Sequence, residues 1–201
     1  MEKRIALFIS YITHPLLVPL LGLMVITHSG TYAADLDPRL SRFIFLSVFL
    51  LTCMLPLTLL PLYFYTKLIK SIHLSEKRER AIPLYVTLVF YLMAYFLIRN
   101  LPVSHVYQRF LFSACVSVLF IIVLNYFWKI SAHMVGWGGL VGLITSLSLR
   151  FNTDLMLFLI IGILLSGIVA FARLKLDAHQ PIHIYSGFLV GYFTILVIFF
   201  L

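Results

Sequence analysis

Apolar runs of about 20 residues recur along almost the whole chain, and each is long enough to cross a bilayer as an α-helix. Seven stretches carry the pattern: Ile5–Thr27, Phe43–Tyr65, Ala81–Ile98, Phe110–Trp128, Ile130–Leu149, Leu155–Ala172 and Ile184–Leu201. The third, sixth and seventh lie near the short limit for a span. The runs are continuous, which argues for helices and against the alternating strands of a membrane β-barrel. Composition makes the same demand. Of 201 residues, 62% are hydrophobic and only 11% charged, against about 25% charged in a soluble domain. The expected fold class is all-α: a polytopic membrane helix bundle of six to seven transmembrane helices, forming one domain over residues 1–201.

The first run follows Lys3 and Arg4 and precedes the small residues Ala33 and Ala34, as a secretory leader would. Its apolar core exceeds the ~7–15 residues of a leader, so it reads as a retained span. Polar links separate the runs. Thr31 to Arg42 holds Asp35, Asp37 and Pro38; Lys67 to Arg80 carries five cations; Arg150 to Asp154 is a short turn; Leu174 to His183 closes the series. Pro15, Pro19, Pro56 and Pro61 fall inside spans, where neighbouring helices tolerate a kink. Gly138 with Gly142, and Gly187 with Gly191, have the spacing of small residues at close helix contacts. Cys53 and Cys115 both lie in apolar runs and read as packed thiols rather than a disulfide framework.

The formal net charge is +8. The cations sit in short links between apolar runs, which points to anionic headgroups or phosphorylated ligands and away from nucleic acid. Seven spans put the links after the second, fourth and sixth on the same side as Met1. That side carries Lys3, Arg4, Lys67, Lys70, Lys77, Arg78, Arg80, Lys129, Arg173 and Lys175; the other carries Arg39, Arg42, Arg99, Arg109 and Arg150. The count leans toward a cytoplasmic Met1 side. Setting aside Arg78, Arg80 and Arg173 as candidate phosphate ligands leaves seven against five, too small a margin to fix the orientation.

Three clusters fall on that side. The first is Glu76-Lys77-Arg78-Glu79-Arg80 with Pro83 after it, a solvated loop or part of an anion site. The second is Lys129-Ile130-Ser131-Ala132-His133 at the start of the fifth span. A helix N-terminus with an added hydroxyl and a histidine can cradle phosphate; it can equally be an N-capping serine beside an interfacial histidine. The third is Arg173 with His179 and His183, either snorkelling groups at the membrane boundary or phosphate chemistry. Arginine binds phosphate oxygens bidentately. One histidine can attack phosphorus while another protonates the leaving oxygen.

On these residues the chain resembles the type 2 phosphatidic acid phosphatase superfamily, in its membrane lipid phosphatase branch. Ser131 and His133 match that family's Pro-Ser-Gly-His motif, with Ile130 and Ala132 in place of proline and glycine. Arg173 and His179 match its Ser-Arg, five residues, His motif, with Ala172 in place of serine. The motif of a lysine, six residues and Arg-Pro is suggested by Arg80 and Pro83, with Lys77 and Lys70 as candidate lysines. The resemblance covers about half the chain and implies a phosphatase-like core over approximately 67–201.

It implies hydrolysis of a phospholipid or polyprenyl (di)phosphate with no metal or other cofactor. His179 would be the nucleophile and His133 the acid, with Arg173, Arg80, Ser131 and Lys77 holding the phosphate. The implied partners are membrane lipids, the implied setting a bacterial inner membrane, and the implied face extracytoplasmic. The third motif is degenerate: His183 stands where the family has the aspartate that polarises the nucleophile. Asp177 precedes His179 and would need an unusual loop to substitute, and Glu76 or Glu79 could approach from the first cluster. Two other functions fit. One is a degenerate member that binds a phosphorylated lipid without turnover; the other is a small transporter or scaffold lined by His14 and Asn125. His28, His73 and His105 show no metal-ligand spacing and read as solvated or interfacial.

Overall fold

The computed structural model describes residues 2–66 and 77–201, with the backbone alone for residues 77–80. Among the described residues, seven helical stretches are long and apolar enough to cross a membrane: Glu2–Thr27, Pro38–Tyr65, Ala81–Arg99, His105–Phe127, Ala132–Phe151, Met156–Lys175 and Pro181–Phe200. No strand occurs among the described residues. The chain is an all-α polytopic bundle, as expected, with the upper count of spans. Four spans begin about a turn before their apolar runs, because polar residues and prolines start helices. Asp37 accepts from the amides of Arg39 (2.8 Å) and Leu40 (3.2 Å), with Pro38 in the first position. Ser104 accepts from Val106 N at 3.3 Å. Pro181 opens the last span.

The first two spans are broken where proline removes a ladder donor. The first is α1 (Glu2–Ile12) and α2 (Val18–Thr27), joined by a tight turn over Pro15–Leu17. Nδ1 of His14 caps that turn, accepting from Leu16 N at 3.3 Å. The second is α3 (Pro38–Phe49), a widened turn over Leu50–Met54, then α4 (Leu55–Thr58) and α5 (Leu60–Tyr65). The remaining spans are α6 (Lys77–Arg99), α7 (His105–Phe127), α8 (Ala132–Phe151), α9 (Met156–Lys175) and α10 (Pro181–Phe200).

Helix α8 is the axis of the bundle: 72% of its span is buried inside the protein, against 17–50% for the other six. Its glycines let α10 approach to backbone contact. A Cβ on Gly138 would lie 2.1 Å from the Phe188 carbonyl oxygen, and one on Gly191 1.9 Å from that of Val135. Both glycine pairs therefore do the packing their spacing suggests. Cys53 and Cys115 are buried free thiols.

The two ends of the bundle are tied differently. At the Met1 end, Lys3 pairs with Asp177 at 3.4 Å and Glu2 pairs with Lys175, so the start of α1 sits beside the link after α9. At the other end, Arg109 donates to Phe199 O at 2.9 Å and Arg150 donates to the same oxygen, which neutralises the carbonyl end of α10. There the fully buried Tyr107 donates its hydroxyl to Ala33 O at 2.8 Å. Tyr107→Phe leaves that carbonyl without its donor and is expected to cost ~1–2 kcal/mol, read as a lower midpoint of thermal unfolding in detergent.

Candidate functional site

Four elements converge at the Met1 end. Helix α1 supplies Ser10, the first turn of α8 supplies His133, the last turn of α9 supplies Arg173, and the following link supplies His179. Ser10 is the meeting point. Its hydroxyl receives Nη1 of Arg173 at 2.7 Å and lies 3.3 Å from Nε2 of His133. Its carbonyl oxygen lies 3.1 Å from the same Nε2. His14, at the kink, sets its ring edge-on to His133 with centres 5.5 Å apart. His179 reaches across to the link before α8, with Nδ1 3.0 Å from the Lys129 carbonyl oxygen. The amide of Ser131 donates to His183 O at 3.2 Å, joining α8 to the start of α10. Ser10, Ser131, His133 and His179 are all buried.

A carbonyl only accepts, so these contacts assign protons. Nδ1 of His179 carries the hydrogen that it gives to the Lys129 carbonyl. His133 has the opposite tautomer: Nε2–H donates to Ser10 O. Nδ1 of His14 accepts from Leu16 N, so its hydrogen is on Nε2. The three rings therefore enter with defined and unequal roles.

Four buried polar atoms of this region have no hydrogen-bond partner among the described residues: Ser131 Oγ, Arg173 Nε, Nδ1 of His183 and, one turn further along α10, Ser186 Oγ. Buried polar atoms are almost always paired, so their concentration at one end of the bundle marks a place suited to a polar ligand. Ser131 occupies the cap position of α8, yet its hydroxyl makes no capping bond. The N-capping reading of that serine is thus not what the fold uses, and His133 is buried rather than interfacial. A free hydroxyl, a helix N-terminus and a guanidinium can together bind an oxyanion.

The structure brings together Ser131, His133, Arg173 and His179, residues of two clusters about 40 positions apart. His183 stands close by, its ring centre 6.4 Å from that of His179 and edge-on to it. That separation is too long for a direct bond between the rings, so the expected relay partner of Nδ1 is replaced by the Lys129 carbonyl. Asp177 does not substitute: its backbone is left-handed (φ 53°) and its exposed carboxylate faces Lys3. Arg80 and Lys77 lie on the first turn of α6, and their side chains, with Glu79, fall outside the described residues; so do Glu76, Lys70 and His73. Asn125 is buried in α7, and His28 is exposed at the far end of the first span. Among the described residues no three His, Cys, Asp or Glu side chains are grouped as metal ligands.

Sequence reasoning missed Ser10, and it read His14 as a packing or interfacial residue, or as one lining a transport pathway, without the neighbour His133. It also gave no sign of a cavity of about 330 Å³ between α2, α8 and α9, lined by Leu21, Met24, Trp137, Leu140, Ile144 and Phe158 among others. His133, Trp137, Leu140 and Ile144 follow one another at helical spacing, so the cavity lies on the face of α8 that presents His133, within ~16 Å of it along the helix. Trp137 joins cavity and site, donating Nε1–H to Thr13 O at 3.2 Å. No family model, curated protein or solved structure matches this chain.

Proposed function

We propose that the chain is a lipid phosphate phosphatase working through a phosphohistidine on His179. The observation that carries this reading is the convergence of Ser131 and His133 with Arg173 and His179 around one buried polar cluster. In the proposed reaction, Nε2 of His179 attacks phosphorus and the P–N bond forms as the P–O bond to the lipid breaks. The leaving oxygen takes a proton from His133. Because the Ser10 carbonyl holds the Nε2–H of His133, the proton passed on travels through Nδ1, which takes it from the hydroxyl of the bound phosphomonoester before giving it to the leaving oxygen. Water then attacks phosphorus, the P–N bond breaks, and inorganic phosphate leaves. Arg173 and Ser131 bind the phosphoryl oxygens, with Arg80 and Lys77 assigned the same task by their position in sequence.

The apolar cavity on the His133 face of α8 supports a substrate with a hydrocarbon chain over a soluble phosphate ester. Phosphatidate, phosphatidylglycerol phosphate and undecaprenyl diphosphate are the substrates to test. The seven apolar helices fit a multi-pass membrane protein, and a bacterial inner membrane is the setting proposed for it. The test is phosphate release by detergent-purified protein with chelator present, together with trapping of an acid-labile phosphoryl group. Release from one of the three lipids, with the label mapped to His179, is the expected result. No release from any of them overturns the reading.

One observation favours a second reading, phosphate binding without efficient turnover. The acceptor on Nδ1 of His179 is a neutral carbonyl, and the loss of the carboxylate in a comparable serine protease relay lowers turnover by ~10⁴. His183→Asp separates the two. A large gain in phosphate release on restoring the carboxylate supports the binding protein; no gain counts against it.

A further inference from the structure

The first span contributes a working part of the site, although none of the phosphatase-like residues lies in it. The Ser10 hydroxyl accepts from Nη1 of Arg173 at 2.7 Å, one of the shorter side-chain contacts in the protein, across 163 residues of sequence. A guanidinium has two edges suited to a pair of oxygens, and Nη1 belongs to only one of them. The other edge, Nε with Nη2, is the one that stays open, and its Nε is buried with no partner among the described residues. An arginine anchored at Nη1 is held with its side-on fork available, the geometry that grips two oxygens of one phosphoryl group. The same residue orients the acid, because its carbonyl takes the Nε2–H of His133. Ser10 is itself buried, and the Glu2–Lys175 and Lys3–Asp177 pairs hold α1 against the end of α9.

We infer that Ser10 is a positioning residue that fixes Arg173 for bidentate capture of the phosphoryl group, so that the first helix completes the site. This rests on the phosphatase reading and adds a residue to it. The step involves no bond making: Ser10 removes rotational freedom from a long side chain before substrate arrives, which lowers the cost of binding. A hydroxyl holding a charged group contributes about 10–100-fold when its partner must be in place.

The test is a double-mutant cycle on detergent-purified protein, with kcat/KM on the preferred lipid and inhibition by orthovanadate as the two readouts. All variants are read below their measured unfolding midpoints, so lost folding does not mimic lost binding. Ser10→Ala is expected to lower kcat/KM and vanadate affinity by about 10–100-fold. In an Arg173→Lys background, which has no side-on fork, Ser10→Ala is expected to add almost nothing. A Ser10→Ala loss that multiplies in full with Arg173→Lys overturns the inference, since Ser10 would then act elsewhere. A Ser10→Ala protein equal to wild type overturns it too and leaves the phosphatase reading standing. Wild-type protein that neither hydrolyses lipid phosphate nor responds to vanadate overturns the phosphatase reading itself and the role of Ser10 with it.

Discussion

His179→Ala is expected to lower phosphate release by at least about 10⁴-fold, the scale on which removal of a nucleophile acts in covalent catalysis. The argument is chemical. The Lys129 carbonyl takes the hydrogen on Nδ1, so the proposed attack falls to Nε2, and alanine has no atom to replace it. The variant is expected to trap no acid-labile phosphoryl group. Its unfolding midpoint is expected to fall as well, because removing the buried ring orphans the Lys129 carbonyl at a cost of ~1–3 kcal/mol, so activity is compared at equal amounts of folded protein. The measurement is single-turnover phosphate release from labelled lipid, with the unfolding midpoint recorded in parallel. Turnover that survives would hand the nucleophile's role to another ring of the cluster, His14 or His133.

The second large effect is structural. Gly191→Ala places a methyl 1.9 Å from the Val135 carbonyl oxygen and 2.8 Å from Gly139 N. Neither atom belongs to a side chain that could swing away. The helices α8 and α10 must part along their length, and with them the Ser131 to His183 contact that aligns the site. The cost is expected at or above the upper end of the ~1–3 kcal/mol typical of overpacking, enough to lose folded protein during extraction. Gly167→Ala is the control: nothing stands within 4 Å of its added methyl, and exchanging glycine for alanine within a helix stabilises by roughly 0.5–1 kcal/mol. Thermal unfolding and size-exclusion profiles of the two variants in one detergent check the contrast.

What could be read in advance follows the physics of each feature. The spans were legible because crossing hydrocarbon demands a long unbroken apolar run, plainest in the second, Pro38–Tyr65, and least in the third, Ala81–Arg99, which lies near the short limit. Their starts were less legible, since Asp37, Ser104 and Pro181 act through local capping that apolarity does not register. His133, Arg173 and His179 stood out because ionisable groups at a membrane boundary are rare and their spacing is fixed. Ser10 had no such signature. One small polar residue in an apolar helix is unremarkable, and its partner is 163 positions away. The part of Lys129 was hidden for another reason: it acts through its carbonyl, which every residue possesses.

The bond between Ser10 and Arg173 also bears on how the protein is made. A chain threaded into the bilayer from its N-terminus delivers the first helix long before the sixth exists. Until then Ser10 and His14 face lipid or whatever neighbour is at hand, one on α1 and the other at the proline turn that follows it. Helices that insert singly and associate afterwards can tolerate that interval. The site then has a birth order: it closes only when the last third of the chain has arrived, and a product arrested before the sixth span would hold half of a clasp with nothing to fasten.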